Sequence, residues 1–334
     1  MAFIWLNGCS EKLNSFMFKN NLRFTSWINQ HKFYQLDLSL KTRSIKQIVL
    51  TLVFKTLVLG FFGLIVIFPF YLMVVVSFAS DERALDTRTP ILWPDSWNFD
   101  NFSRVLSDGK YLNAIVVNTL VTVLSVLLTL FFTICMGYSF SLRKWKYKKL
   151  VWFFFLSVLI LPESALLIGQ YRIVIVANWN NPNSPLIVLG LIMPFVSSVF
   201  SGFMYRTSFE AIPSQLKESA LIDGCNGFNY FLKIALPMVK STSWTVGILT
   251  AFSAWNSYLW PLLLLGNRVD LNINLWVLQQ GILDANSSDE QIRTLLNLKM
   301  SAAILAILPM FIIYFLFHKR IMNAIKNRAN TIKG

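Results

Sequence analysis

The hydrophobic pattern of this 334-residue chain consists of long blocks and not of short alternations. Six apolar stretches run over about 56–78, 114–138, 150–169, 185–205, 239–265 and 300–317, each closed by a polar or basic cluster. A bilayer core about 30 Å thick takes roughly 20 residues of helix at 1.5 Å each. All six stretches reach that range. No period-two alternation of the kind a membrane barrel needs lies between them. Lipid offers the backbone no hydrogen-bond partners, so only helices remain. The pattern predicts an all-α integral membrane protein with six transmembrane helices, multi-pass in the cell (plasma) membrane.

Composition agrees. The chain is 55% hydrophobic and 14% charged, with a mean hydropathy of +0.55, where an average soluble domain carries about 25% charged residues. An ordinary soluble globule, a disordered chain and a collagen-like or disulfide scaffold are excluded. The net charge of +14 raises nucleic acid, but no RNP, helix-turn-helix or zinc-finger pattern is present. Its distribution explains it better. Residues 1–47, the loop 141–149, the loop 206–240 and the tail after His318 hold 21 basic and 5 acidic residues; the opposite loops hold 8 basic and 11 acidic. By the positive-inside rule both termini are predicted to be cytoplasmic. The organisation that follows is a basic cytoplasmic extension (1–47), a six-helix domain (48–318) and a basic cytoplasmic tail (319–334).

The first long apolar run begins near residue 48, so a retained anchor is expected and not a cleaved signal. Leu6-Asn7-Gly8-Cys9 superficially resembles a lipoprotein box, but the apolar run before it is too short. Leu13, Phe16, Met17, Phe24, Trp27 and Ile28 lie near one helical face beside Lys12, Lys19 and Arg23. That segment reads either as an interfacial amphipathic helix or as a cytoplasmic extension.

Ionisable residues deep in a span are usually functional because they are costly there, and this chain has almost none. Lys55 can snorkel to the edge, and Glu163, in Leu161-Pro162-Glu163-Ser164, reads as a loop-end carboxylate. There is no chain of Asp, Glu or His for a proton relay and no potassium-filter sequence. Cys9, Cys135 and Cys225 are far apart and two histidines leave little for a metal site. No GxxxxGK[ST] phosphate loop occurs, nor GxSxG, HExxH or paired carboxylates. No catalytic residue is predicted. Energised work by this chain would draw its energy from a partner.

The loop before the fifth stretch is different. It reads Glu210-Ala-Ile-Pro213-Ser-Gln-Leu-Lys-Glu218-Ser219-Ala220-Leu-Ile-Asp223-Gly224, and continues to Ile234-Ala-Leu236-Pro237. Pro213 suits the first turn of a helix, and Gly224 can supply the left-handed position that ends it. Asn226 suits the N-cap of a second short helix, and Pro237 the start of the next span. The result is a helical hairpin outside the membrane over 207–237, with small Ala220 and Gly224 at its corner. Taken alone, this is a docking knob.

The spacing Glu218-Ser219-Ala220, three residues, Gly224, nine residues, Ile234-Ala235-Leu236-Pro237 resembles the EAA motif of ABC-importer permeases, with Ser219 for the middle alanine. Over roughly 50–334 the chain resembles the second permease of the maltose-type carbohydrate-uptake branch. Asn113–Leu120 with Asn118, Gly137-Tyr138-Ser139-Phe140, the run Ala251-Phe252-Ser253-Ala254-Trp255-Asn256-Ser257-Tyr258-Leu259-Trp260-Pro261-Leu262 and the terminal Thr331-Ile332-Lys333-Gly334 carry the likeness. The resemblance implies a heterodimer of two permeases, an ABC ATPase dimer that uses ATP and Mg, and an extracellular solute-binding protein or lipoprotein. It implies that the chain binds no cofactor itself and is not an enzyme. Mapped residue by residue, it makes Glu218, Ser219, Ala220, Asp223 and Gly224 the ATPase-coupling surface. Ser253, Asn256, Ser257 and Tyr258, with Trp255 and Trp260, either line a translocation path or serve helix packing. The cargo implied is a carbohydrate or related polyol phosphate. The competing reading is a non-energised channel or scaffold whose hairpin recruits a soluble partner.

Overall fold

The computed structural model describes residues 45–86, 88–141, 145–181, 183–225, 227–266, 268–282 and 294–331. The expectations for residues 1–44, Asn226 and the 332–334 terminus fall outside them. The chain divides into two compact units, 1–69 and 70–334. In the first, the described part is the leading portion of α1 (Ile45–Ser77). Its apolar side chains from Val49 to Phe68 are exposed, as suits a helix whose backbone is satisfied internally and whose solvent is lipid.

The second unit is also helical. After α1 come two short helices, α2 (Asp81–Leu85) and α3 (Asp100–Leu106), and then the 31-residue α4 (Tyr111–Ser141). Asn118, Thr122, Ser125, Thr129 and Thr133 recur at helical spacing on the buried face of α4. Small polar residues let helices approach closely in a membrane and can bond across them. α4 packs most extensively against α8 (Val199–Glu210) and α12 (Lys240–Trp255). At Gly137 an added Cβ would collide with Tyr205 and lie 2.9 Å from the Arg206 amide, so this α4–α8 contact requires glycine.

Three of the six expected spans have direct counterparts, and two more do if each bent helix pair is one span. α1, α4 and α15 (Leu296–Thr331) each contain an apolar stretch long enough to cross a membrane. The other two are bent pairs: α7 (Ile187–Ile192), continued by a 3-10 turn over Met193–Phe195, meets α8 at 53°, and α12 meets α13 (Leu259–Leu265) at 49°. The expected span 150–169 is not one helix. It is divided between α5 (Lys148–Val158) and α6 (Glu163–Val176). The break lies just before Pro162, whose ring disfavours a helical residue ahead of it.

Each break frees backbone groups that must find partners. The Thr129 hydroxyl donates to the Phe195 carbonyl, and the Ser198 side chain caps α8 by accepting from the Ser201 amide. Between α12 and α13, the Asn274 amide donates to the carbonyls of Trp255 (2.7 Å) and Ser257 (3.0 Å). Asn274 belongs to α14 (Ile273–Gln279), capped by Asn272, which also donates to Asn118 Oδ1 at 2.9 Å. Among the described residues the β-structure is limited to an isolated bridge between Ile282 and Thr294.

Candidate functional site

The hairpin begins after α8. Pro213 is the N-cap of α9 (Ser214–Ile222), with extended ψ, so the helix starts one residue later than the sequence suggested. Asp223 is the C-cap and Gly224 follows with φ +74°. The Gly224 amide bonds the Leu221 carbonyl at 3.1 Å and the Cys225 amide bonds that of Ala220 at 2.8 Å. Those two bonds make a Schellman closure, in which a left-handed residue lets the chain return over the last helical carbonyls. An L side chain at Gly224 would be strained, although among the described residues nothing lies within 4 Å of an added Cβ.

The returning strand of the hairpin is α10 (Gly227–Tyr230), a π-helical turn over Phe231–Ala235 and the short α11 (Leu236–Met238). Pro237 has no N–H to bond the Lys233 carbonyl and its ring crowds that group. A widened turn before it is the local relief. The long helix α12 therefore begins at Lys240 and not at Pro237.

The predicted coupling residues separate into two groups. Glu218, Ser219, Asp223 and Gly224 are exposed, with the Ser219 hydroxyl bonded back to the Gln215 carbonyl. Ala220 is not on the surface. It is 4% exposed and packs in a cluster with Tyr205, Phe209, Tyr230, Ala235, Val239 and Val246. Its small size lets α9 lie against its own chain, so it supports the knob from within. Burial also pushes the Tyr230 phenol upward, with nearby Tyr138 adding to the shift.

Sequence reasoning missed the apolar face that the hairpin presents. Ile222 is 86% exposed and Phe228 70%, with Leu221 and Leu232 exposed nearby. The available signal was the adjacent pair Leu221-Ile222 at the end of a short helix, since exposed apolar clusters mark contact surfaces.

The fifth-span residues separate as well. Ser253, Asn256 and Tyr258 are exposed and Ser257 is half-buried. Trp255 and Trp260 are buried at 3% and 2%, and their indoles donate to the carbonyls of Ala306 (3.3 Å) and Gly190 (3.0 Å). Within this chain they act as packing struts. The Asn256 side chain bonds back to the Phe252 carbonyl at 2.9 Å. Toward the α12 start, Lys240, Trp244, Ile248 and Phe252 border an apolar groove of about 500 Å³, closed by residues of α4 and α15. Asn256 extends the same helical face by one more turn.

Among the described residues no cluster of three or more His, Cys, Asp or Glu side chains could hold a metal.

No protein-family model matches the chain. It is 69% identical over 320 residues to a probable ABC transporter permease protein of Mycoplasma pneumoniae, covering 95% of this chain and 100% of that one. The chain belongs to the ABC transporter permease family. It is a membrane protein and a transport component, not an enzyme. It is also 25% identical over 282 residues to the arabinooligosaccharides transport system permease AraQ of Bacillus subtilis, covering 83% and 92% of the two chains. With the probable starch degradation products permease AmyC of Thermoanaerobacterium thermosulfurigenes it shares 28% over 273 residues, 80% and 94% of the chains. A bacterial ABC transporter involved in import of the acidic polysaccharide alginate has the same fold. Its TM-score is 0.68 at 22% identity, over 83% of this permease and 98% of that chain.

Proposed function

We propose that this permease forms half of the translocation pathway of an ATP-driven carbohydrate importer and couples to a separate ATPase through the hairpin 207–237. It crosses the membrane six times with both termini cytoplasmic, α5 and α6 together supplying the third crossing. It pairs with a second, homologous permease, while an extracellular binding protein or lipoprotein delivers the solute. ATP and Mg belong to the ATPase.

The observation that carries this reading is the corner of the hairpin. Glu218, Asp223 and Gly224 stand exposed around a Schellman closure, and Ile222 and Phe228 project from it. A rigid knob with an apolar tip suits a cleft on a partner and can transmit that partner's rotation to α8 and α12. The carbohydrate class is supported by relatives named for arabinooligosaccharides and for starch degradation products. A related polyol phosphate is the finer alternative. Ser253, Asn256, Ser257 and Tyr258 on the α12–α13 bend are the path residues proposed here.

The test uses the tagged full-length chain, extracted from its native membrane in mild detergent. The wild type retains a second permease and a phosphate-loop ATPase. Gly224→Asp inserts normally but loses the ATPase and ATP-dependent uptake. Retention of both by the variant, or a chain that comes out alone, overturns the coupling assignment in favour of a channel or scaffold.

A further inference from the structure

The loop before α5 carries a dense run of basic charge that the coupling reading does not use. Between Arg143 and Lys149 the sequence carries five basic residues and no acid. The described part of this loop enters α5 and stands beside the last turns of α4 and α8. Lys148 Nζ donates to the Ser141 carbonyl at 3.0 Å, at the end of α4. On α8, the Arg206 guanidinium lies 4.5 Å from the Trp152 ring centre and its Nε is 2.8 Å from Glu210 Oε1. Lys148 and Trp152 lie one turn apart on α5, so Lys148 and the Arg206 guanidinium stand on the same side of this junction, and exposed Lys146 and Lys149 are close in sequence.

The surroundings grade from polar to apolar along α5. Trp145, whose indole donates to the Ser139 carbonyl at 3.3 Å, precedes the lysines and is exposed. Past them Leu150, Phe153 and Phe154 are exposed. Aromatic rings favour the headgroup level, and exposed Phe and Leu favour acyl chains. Basic clusters beside a span attract anionic headgroups, and an Arg fixed over an aromatic face offers directed donors to a phosphate.

We propose that the end of α4, the start of α5 and Arg206 of α8 form a site for the phosphodiester headgroup of an anionic lipid. Lys148 and Arg206 hold the phosphate, Lys146 and Lys149 add attraction, and Phe153 and Phe154 contact the chains. The α9–α10 hairpin begins just beyond Glu210, so a lipid here sits next to the base of the docking knob. The site itself does not depend on what docks there.

The experiment is native mass spectrometry of the full-length chain in mixed micelles of equimolar phosphatidylglycerol and phosphatidylcholine. Phosphatidylglycerol is expected to be retained preferentially. Lys148→Gln with Arg206→Gln lowers that retention roughly tenfold or more, and Lys148→Arg with Arg206→Lys restores most of it. Lys217→Gln with Lys233→Gln removes the same charge from the hairpin and leaves retention unchanged. Should the first pair fail to fold, the exposed pair Lys146→Gln with Lys149→Gln gives a smaller drop in the same direction. The proposal is overturned by equal losses from the loop and hairpin pairs, by equal retention of the two lipids, or by displacement of the lipid with millimolar inorganic phosphate.

Discussion

Two ends of this permease solve the same problem, holding irregular backbone in place, by different means. On the acidic side, the segment after α1 is held by buried asparagines. Asn297 donates to the Ala79 carbonyl (3.1 Å) and Asp81 (2.7 Å), while Asn101 donates to the carbonyls of Ser77 (2.9 Å) and Ala79 (3.0 Å). Ser301 adds a bond to Ser77, and Arg104 pairs with Asp81 at 3.0 Å. On the basic side, the hairpin closes on two backbone bonds and leaves its apolar tip exposed. The first arrangement uses buried amides to join positions about 200 residues apart. The second is local and leaves surface free. A side-chain network locks elements together, whereas a backbone closure shapes a surface for something else.

Removing a lock is the most damaging change available. Asn297→Leu strips the buried amide from Asp81 and one of the two amide donors from the Ala79 carbonyl, and should cost about 3 kcal/mol, read as a lowered Tm in detergent. Asn101→Leu should behave similarly, and the double variant should lose more than the sum, because either amide alone still satisfies the Ala79 carbonyl. An unchanged Tm would erase the contrast between the two ends.

The hairpin tip should respond in the opposite sense. Ile222→Ala with Phe228→Ala is expected to change stability by no more than about 0.5 kcal/mol, leaving Tm nearly unchanged, yet to weaken retention of the ATPase roughly tenfold. A large fall in Tm would mean the tip is part of the fold and not a contact surface.

Gly224→Ala sharpens the same point at smaller scale. The left-handed conformation costs an alanine about 1 kcal/mol, so hydrogen exchange at the Gly224 and Cys225 amides should quicken while exchange in α4 stays slow. Uniform acceleration would show that the hairpin is not a local unit.

The smallest effect concerns pH. Burial opposes the charged form of Asp81, but the Asn297 amide and Arg104 outweigh it and hold the carboxyl below its ordinary value. A depressed carboxylate contributes fully above its unfolded value, near 3.9, and loses that contribution as pH falls through its folded value. Asp81 is 43% exposed, so screening keeps the contribution modest. Tm should therefore begin to drop as pH falls below about 5 and fall further through the folded value of Asp81, and Asp81→Asn should make that acid limb shallower. A variant with an unaltered acid limb would assign the loss to other carboxylates.

Much of this was legible in the residues. Length of apolar runs decides whether a helix can cross lipid, and that is a local property, so α1, α4 and α15 were visible directly. Gly224 was legible for a related reason: a helix needs an ending, and glycine is the residue that turns left-handed without strain. The division of 150–169 at Pro162 was weaker, because hydropathy averages over a break that only backbone geometry exposes.

Taken by itself, the sequence determined the membrane class, most of the spans, the segregation of charge and the hairpin with its Schellman corner, because each follows from a window of neighbouring residues. Tertiary structure alone decided which face of each element is covered. It turned Ala220 inward, made struts of Trp255 and Trp260, left Ile222 and Phe228 outside, and brought Asn101 to Asn297. Those outcomes depend on what packs across the chain, and no local pattern encodes the partner that a distant segment will supply.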